Sequence, residues 1–224
     1  MSFPKKISKG LLQLAENLFA VRMNFMFGFR MFGTWSFIFK PASTDGFLVF
    51  DTGGAGSGEI LHRAFHAIGL DPSKMEGIVI SHWHSDHTGG LAGLVEKCGT
   101  KGKKIPVFIG SGDMELLKKR SPHALFFHPA LRIPVIHRPG KLPNNEMFEM
   151  VPLVPGGNDN PLGRWGVDFI HTPGHTPGCT SFIIRDSGTL LPGCGFAFIR
   201  KGLCGAVPVF KNRKQQIASA KKLA

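Results

Sequence analysis

A run of closely spaced histidines follows a short apolar segment and constrains the fold of this chain more than any other feature. The segment Gly77-Ile78-Val79-Ile80 predicts a short buried strand. The run His82-Trp83-His84-Ser85-Asp86-His87 comes directly after it. Imidazole nitrogens and a carboxylate at this density suit a borderline cation such as zinc. The run lacks the i, i+4 histidines and intervening glutamate of a helical HExxH site, so we predict that these ligands lie on a loop between a strand and a helix.

Strand and helix patterns alternate on both sides of this run. Short apolar and β-branched runs predict strands over 34–39, 46–50, 77–80, 105–109, 167–170, 181–185 and 189–191. Helical spacing of apolar residues predicts helices over 59–68, 91–97 and 113–119. Recurrent prolines break the segment 121–161 into irregular loops and edge strands. The alternation predicts a layered α/β fold, with the histidine run exposed where a central strand ends.

The length and the apolar pattern bound the domain organisation and the location. A chain of 224 residues fits a single globular domain over residues 1–224. Glu16 and Asn17 interrupt the first apolar stretch too early for a signal sequence, so we predict an amphipathic opening helix there. No window of about twenty apolar residues supports a membrane span. The four cysteines form no C-x-x-C pair, so we interpret them as reduced thiols of a cytoplasmic protein.

The chain is strongly basic. It has 27 Lys and Arg against 15 Asp and Glu, which gives a formal net charge of +12. This balance favours anionic partners such as nucleic acids, phosphoesters or carboxylates. The alternative is a solvated basic surface, because the basic residues are spread along the chain and are concentrated only from Lys211 to Lys222.

Three motifs, in order along the chain, resemble the signature of the metallo-β-lactamase-fold proteins. The central motif is HxHxDH followed by TGG, over residues 82–90. The motif DTG lies upstream at 51–53, and TPGHTPG, which contains His175, lies downstream at 172–178. The resemblance extends from Trp35 to Arg200. It implies an α/β fold, the αβ/βα sandwich of two mixed sheets with helices on the outer faces, either complete or lacking its C-terminal strand and helix.

The resemblance also implies a metal centre built from these motifs. The ligands that it implies for a first site are His82, His84 and His175. Asp86 and His87 would serve a second site, and Asp51 would orient the ligand loop. Three neutral imidazoles leave a fourth tetrahedral position for water, which is the arrangement of a catalytic zinc site. Asp86 would also act catalytically, by steering the attacking water and the proton that it releases.

Two features depart from the family's pattern. Where most hydrolases of the family carry a bridging aspartate, this chain has Cys194 within Pro-Gly-Cys-Gly. A thiolate is a good zinc ligand, so Cys194 is a candidate ligand, and the alternative is a buried structural cysteine. The family's last metal histidine has no counterpart before the chain ends at Ala224. Either His171 or His128 substitutes for it, or the second metal binds weakly, or the chain is an early-terminated version of a longer relative.

The function that the resemblance implies is zinc-dependent hydrolysis of an acyl bond, in a β-lactam, lactone or thioester, by a metal-bound hydroxide. One or two Zn²⁺ ions would be the cofactor and a small anionic molecule the substrate, whose carboxylate Arg200 or Lys201 could bind. The first alternative is a metal-dependent phosphodiesterase or ribonuclease of the same fold, favoured by the basic charge, with nucleic acid as the partner. The second alternative is a metal-binding but catalytically weak, shortened homologue.

Overall fold

A computed structural model describes residues 4–27, 30–100, 102–119, 123–126, 134–157, 159–195, 197–200, 203–205 and 210–223. The chain forms two compact units. The first comprises Met1–Ile80, His84–Phe108 and Gly140–Val151, and the second Ser81–Trp83, Ile109–Pro139 and Pro152–Ala224. The single domain over residues 1–224 stays a prediction.

The elements, in chain order, are as follows. The strands are β1 (Lys5–Ser8), β2 (Leu11–Ala15), β3 (Leu18–Phe27), β4 (Arg30–Phe39), β5 (Phe47–Phe50), β6 (Met75–Ile80), β7 (Ile105–Gly110), β8 (His123–Phe126), β9 (Pro134–His137), β10 (Phe148–Leu153), β11 (Val167–His171), β12 (Thr180–Ile184), β13 (Thr189–Leu191), β14 (Ala197–Arg200) and β15 (Leu203–Gly205). The helices are α1 (Ser57–Ala67), α2 (Ser85–Thr88), α3 (Leu91–Cys98), α4 (Ser111–Lys119) and α5 (Arg213–Leu223). Short 3₁₀ turns cover Pro72–Lys74, Gly163–Trp165 and Arg185–Ser187.

The main sheet has the strand order β1-β2-β3-β4-β5-β6-β7-β10 in the described part of the chain. Strands β1 to β5 pair antiparallel in sequence order. Strand β5 then pairs parallel with β6, and α1 lies in the connection between them. A parallel pair needs such a crossover, because its strands run in the same direction. The carboxyl ends of β5 and β6 therefore meet at one edge of the sheet, with Asp51 immediately after β5.

The core of the first unit lies between this sheet and α1. All four residues of β5 are buried, so the strand lacks the polar alternation of a half-exposed strand. Helix α1 buries Leu61, Ala64 and Phe65, and the rings of Phe65 and Phe47 lie 4.8 Å apart between centroids. The apolar spacing that predicted a helix over 59–68 is therefore the face that packs on the sheet.

The N-terminal prediction was wrong. The segment expected to form an amphipathic helix forms strands β1 and β2, and β2 pairs antiparallel with β3. The apolar residues of Leu11–Ala15 fit either a helix or a strand when they are read alone. Pairing with the neighbouring strand decides between the two, because tertiary context overrides a weak local pattern.

The second unit contains the antiparallel sheet β11-β12-β13. Strands β11 and β12 pair from Val167 with Ile184 to His171 with Thr180. Just beyond the last pair, the Thr172 N–H donates to the Cys179 carbonyl over 2.8 Å. This bond closes the base of the loop 172–179, which carries His175. Helix α5 is the last described element of the unit.

None of the described helices is both long enough and apolar enough to cross a membrane.

Candidate metal centre

Three potential metal ligands converge in the second unit. His82 Nδ1 or Nε2, a ring nitrogen of His175 and the Cys194 thiol all lie within 4.8 Å of one another. Both histidines are buried, and Cys194 is half-buried. His82 and His175 are 93 residues apart in sequence, and their Nε2 atoms lie 3.2 Å apart. The fold thus brings two of the predicted first-site histidines together and adds Cys194 to them.

The residue before His82 holds its ring in this orientation. Ser81 Oγ lies 3.1 Å from His82 Nδ1, which leaves Nε2 directed at His175. The Ser81 carbonyl accepts a 2.9 Å hydrogen bond from the Thr180 N–H at the start of β12. A second partner on the far ring nitrogen is the usual means by which a protein fixes the tautomer and direction of a ligand histidine.

The residue before His175 fixes its loop against α5. Gly174 has φ 129°, a conformation that a side chain would strain. Its carbonyl accepts hydrogen bonds of 2.8 Å from the N–H groups of Lys211 and Asn212. A Cβ on Gly174 would overlap the backbone of Gln216. Glycine is therefore required here, and it lets the start of α5 seat directly on the loop that carries His175.

Cys194 reaches the histidines from a tight turn. The Gly195 N–H donates to the Pro192 carbonyl over 2.8 Å, and Gly193 adopts φ 54° within the turn. A Cβ on Gly193 would lie 2.8 Å from the Ser81 Cβ. The Pro-Gly-Cys-Gly sequence thus serves two purposes, since glycine permits both the turn and its close approach to the His82 loop.

The geometry fits a zinc ion. Two imidazoles bound to one tetrahedral zinc, with Zn–N bonds of about 2.0–2.1 Å, have nitrogens roughly 3.3 Å apart. The distance between the two Nε2 atoms is 3.2 Å. Two nitrogens and a thiol are also a donor set that suits zinc, whereas magnesium and calcium prefer oxygen ligands. The residues present therefore match zinc in both spacing and chemistry.

A second cluster lies in the first unit around His87. Its Nδ1 lies 2.7 Å from Asp51 Oδ2, and its Nε2 lies 3.4 Å from Asp86 Oδ2. The Asp51 and His87 side chains are nearly buried, whereas the Asp86 side chain is 18% exposed. An Nδ1–H donated to a carboxylate leaves Nε2 as the atom that could bind a metal. This is the contact expected if Asp51 orients the ligand loop.

Backbone contacts hold the same loop. Both the N–H and the hydroxyl of Thr52 donate to the His87 carbonyl, over 2.7 and 2.9 Å. A Cβ on Gly89 would lie 2.5 Å from Ala55 N, and one on Gly90 would overlap the Thr52 carbonyl. The glycines after the HxHxDH run are therefore required for the DTG segment to pack against it.

The other predicted residues fall as follows. His84 is buried and immediately precedes α2, where the Thr88 hydroxyl donates to its carbonyl over 3.0 Å. The ligand roles of His84, Asp86 and His87 stay predictions. His171 donates Nε2–H to the Pro177 carbonyl over 2.8 Å, and among the described residues it belongs to neither ligand cluster. His128, Lys201 and the side chain of Arg200 lie outside the described residues.

Asp113, a fully buried carboxylate in the first turn of α4, was not predicted as a residue of the site. It accepts hydrogen bonds from the N–H groups of Trp83 and Gly178 and from the Thr176 hydroxyl. Burial raises the pKa of Asp113 to about 6, against the opposing effect of these three donors. An aspartate early in a helix is usually an exposed first-turn residue, so no local signal marked this one as buried.

Comparisons with known proteins identify the family. The metallo-beta-lactamase superfamily matches residues 30–224, and the chain belongs to this superfamily. A curated protein of Bacillus subtilis (strain 168), the probable metallo-hydrolase YqgX, is 28% identical over 154 residues. The match covers 67% of this chain and 61% of that protein's length.

Solved structures share the fold. The DIM-1 metallo-beta-lactamase aligns with a TM-score of 0.63 at 17% identity, over 95% of this chain and 80% of that one. FEZ-1 of Legionella gormanii aligns with a TM-score of 0.57 at 16% identity, over 92% of this chain and 71% of that one. The predicted metallo-β-lactamase fold, of mixed sheets with helices, is therefore confirmed.

Proposed function

We propose that this chain is a zinc-dependent hydrolase that cleaves an acyl bond, such as that of a lactone, thioester or β-lactam. The observation that carries the proposal is the approach of His82 Nε2 to His175 Nε2 at 3.2 Å, with the Cys194 thiol in the same cluster. Membership of a superfamily that includes metallo-hydrolases supports hydrolysis as the reaction class. The names of the similar solved proteins are the reason to include β-lactams among the candidates.

The residues of the chain would divide the work as follows. His82, His175 and Cys194 would hold a zinc ion, which when bound lowers the pKa of its water toward neutrality and so supplies the nucleophile. Ser81 holds the His82 ring, and Asp51 holds the His87 ring.

Asp86 is the residue we assign to proton transfer. Its side chain is 18% exposed, so its carboxylate can meet solvent and substrate. A carboxylate that is ionised at neutral pH can accept the proton that an attacking water releases. The partly exposed position of Asp86 contrasts with that of Asp51, whose buried carboxylate is occupied by His87.

The proposal includes a cytoplasmic location. Cys98 and Cys179 are buried free thiols. Unpaired cysteines are typical of a reducing compartment, and a thiol ligand such as Cys194 would be preserved there.

A substrate panel tests the proposal. The zinc-loaded protein is assayed against lactones, thioesters and β-lactams, with and without a chelator. We expect turnover of at least one class, abolished by chelation and restored by zinc. His175→Ala should lose this activity, whereas His66→Ala, at an exposed histidine of α1, should keep it. Failure to find chelator-sensitive turnover on any member of the panel would refute the acyl reaction.

A phosphodiesterase or ribonuclease is the second candidate, favoured by the charge of α5. Lys214, Lys221 and Lys222 are exposed on this helix, whose start is bonded to the His175 loop. Basic residues beside a metal centre suit a phosphodiester substrate. Metal-dependent cleavage of a short RNA, with binding that weakens steeply as salt rises, would place this activity above acyl hydrolysis.

A further inference from the structure

The carboxylate of Asp113 bonds to two loops at once. Its Oδ2 accepts the Trp83 N–H at 3.2 Å and the Thr176 Oγ–H at 2.7 Å. Its Oδ1 accepts the Gly178 N–H at 2.6 Å. Both oxygens act as acceptors, and the side chain has no exposure to solvent.

The donors flank the candidate zinc ligands. Trp83 immediately follows His82, and Thr176 immediately follows His175. The Asp113 carboxylate thus fixes the main chain of Trp83, next to His82, and the side chain of Thr176, next to His175. The two loops are far apart in sequence, and Asp113 comes from a third segment between them.

Close packing makes this connection rigid. A Cβ on Gly178 would lie 2.8 Å from the Asp113 Cβ, and one on Gly112 would lie 3.0 Å from the Pro177 carbonyl. The start of α4 therefore sits on the His175 loop with no room for a side chain between them. A shift of Asp113 would have to move the loop with it.

We propose that Asp113 is a positioning residue of the metal centre, which ties the His82 loop to the His175 loop and so sets the distance between their Nε2 atoms. The inference rests on the proposed function, because it presupposes that these nitrogens bind zinc. Asp113 itself does not belong to the ligand cluster, and it acts through the two loops. Mutation of a residue that orients metal ligands typically changes metal affinity about 10–100-fold.

The chemistry of the side chain makes the role testable. Asparagine has one acceptor oxygen. Asp113→Asn can therefore accept hydrogen bonds from Trp83 and Thr176 or from Gly178, but not from all three, because its NH₂ group faces the remaining donor. Thr176→Val removes one donor and keeps the branched shape, and Thr176→Ser restores the hydroxyl. Ile184→Ala, at a buried residue of β12, is a control that lowers stability without touching either loop.

Zinc affinity is measured by competition with a chromophoric chelator, and geometry by the visible spectrum of the cobalt-substituted protein. We expect Asp113→Asn to weaken zinc binding about 10–100-fold and to alter the cobalt spectrum. Thr176→Val should weaken zinc binding about 3–10-fold, the equivalent of one hydrogen bond. Thr176→Ser and Ile184→Ala should bind zinc as the wild type does.

Two results would overturn the inference. If Asp113→Asn and Thr176→Val lower thermal stability but leave zinc affinity and the cobalt spectrum unchanged, Asp113 has only a structural role. If Asp113→Asn does not fold, the comparison of Thr176→Val with Thr176→Ser decides alone. If the wild-type chain binds neither zinc nor cobalt, the proposed metal centre is wrong and the inference fails with it.

Discussion

Asp51 combines a strained backbone with a buried hydrogen bond, and substitutions can separate the two. Among the residues that the structure describes, Asp51 is the non-glycine residue whose backbone is left-handed, at φ 54°. Its Oδ2 lies 2.7 Å from His87 Nδ1, with side-chain exposures of 8% for Asp51 and 6% for His87. Asp51→Gly removes the carboxylate but suits the backbone. Asp51→Ala removes the carboxylate and keeps a Cβ in a region that disfavours it.

The magnitudes follow from these two effects. Both variants leave a buried imidazole N–H without its acceptor, which costs about 1–3 kcal/mol. A Cβ in the left-handed region lowers the stability of Asp51→Ala by about 1–2 kcal/mol relative to Asp51→Gly. Glycine loses more conformational freedom on folding than alanine does, which offsets about 0.5–1 kcal/mol of this difference. We therefore expect Asp51→Ala to be about 1 kcal/mol less stable than Asp51→Gly. Asp51→Asn, which tolerates this backbone and keeps an acceptor oxygen, should lose least.

Urea unfolding of the metal-free protein, followed by tryptophan fluorescence, measures the order. Asp168 is the matched control, because it lies in the extended strand β11, where Asp168→Gly should be less stable than Asp168→Ala. Equal stabilities for Asp51→Ala and Asp51→Gly would refute the backbone argument. Wild-type stability for both would refute the contribution of the bond to His87.

Three further predictions concern the second unit and a buried cysteine. Gly193→Ala should displace the Cys194 turn, because its backbone is left-handed and its Cβ would lie 2.8 Å from that of Ser81; cobalt-to-thiolate absorption that stays at the wild-type level would contradict this. Because the Asp113 pKa is raised to about 6, the stability that its neutral form contributes is lost as pH rises through 6. The difference between the wild type and Asp113→Asn in the free energy of unfolding, measured in urea, should therefore shrink from pH 4 to pH 7 by on the order of 2–3 kcal/mol. A difference that stays constant would refute the shift in pKa. Zinc should slow alkylation of Cys194 by iodoacetamide, while Cys98, buried with its pKa raised to about 12, stays unmodified with or without zinc; an equal Cys194 rate in both states would show that zinc does not contact the thiol.

Strong local patterns gave most of the predicted elements correctly. Strands β4 and β5, helix α1 and the strand before the histidine run were each predicted over residues that overlap their observed bounds. These elements bury one face or a whole short strand, and burial imposes the periodicity that sequence analysis can detect. The motifs likewise indicated His82 and His175 before any geometry was known.

The features that sequence analysis missed depend on partners distant in sequence. Strand β2 is fixed by its pairing with β3, and the leucines of β2 do not themselves distinguish a strand from a helix. Asp113 is buried because three donors from other segments surround it. Neither the pairing nor the burial leaves a periodic signal at the residue itself.

The proposed hydrolysis requires that His82 and His175 hold one zinc ion together. Crystals of the zinc-loaded protein, with diffraction data collected on both sides of the zinc absorption edge, test it most directly. We expect an anomalous peak about 2.0–2.1 Å from the Nε2 atoms of both histidines, with the Cys194 thiol beside it. A His175 ring turned away from His82, with no zinc peak between them, would contradict it.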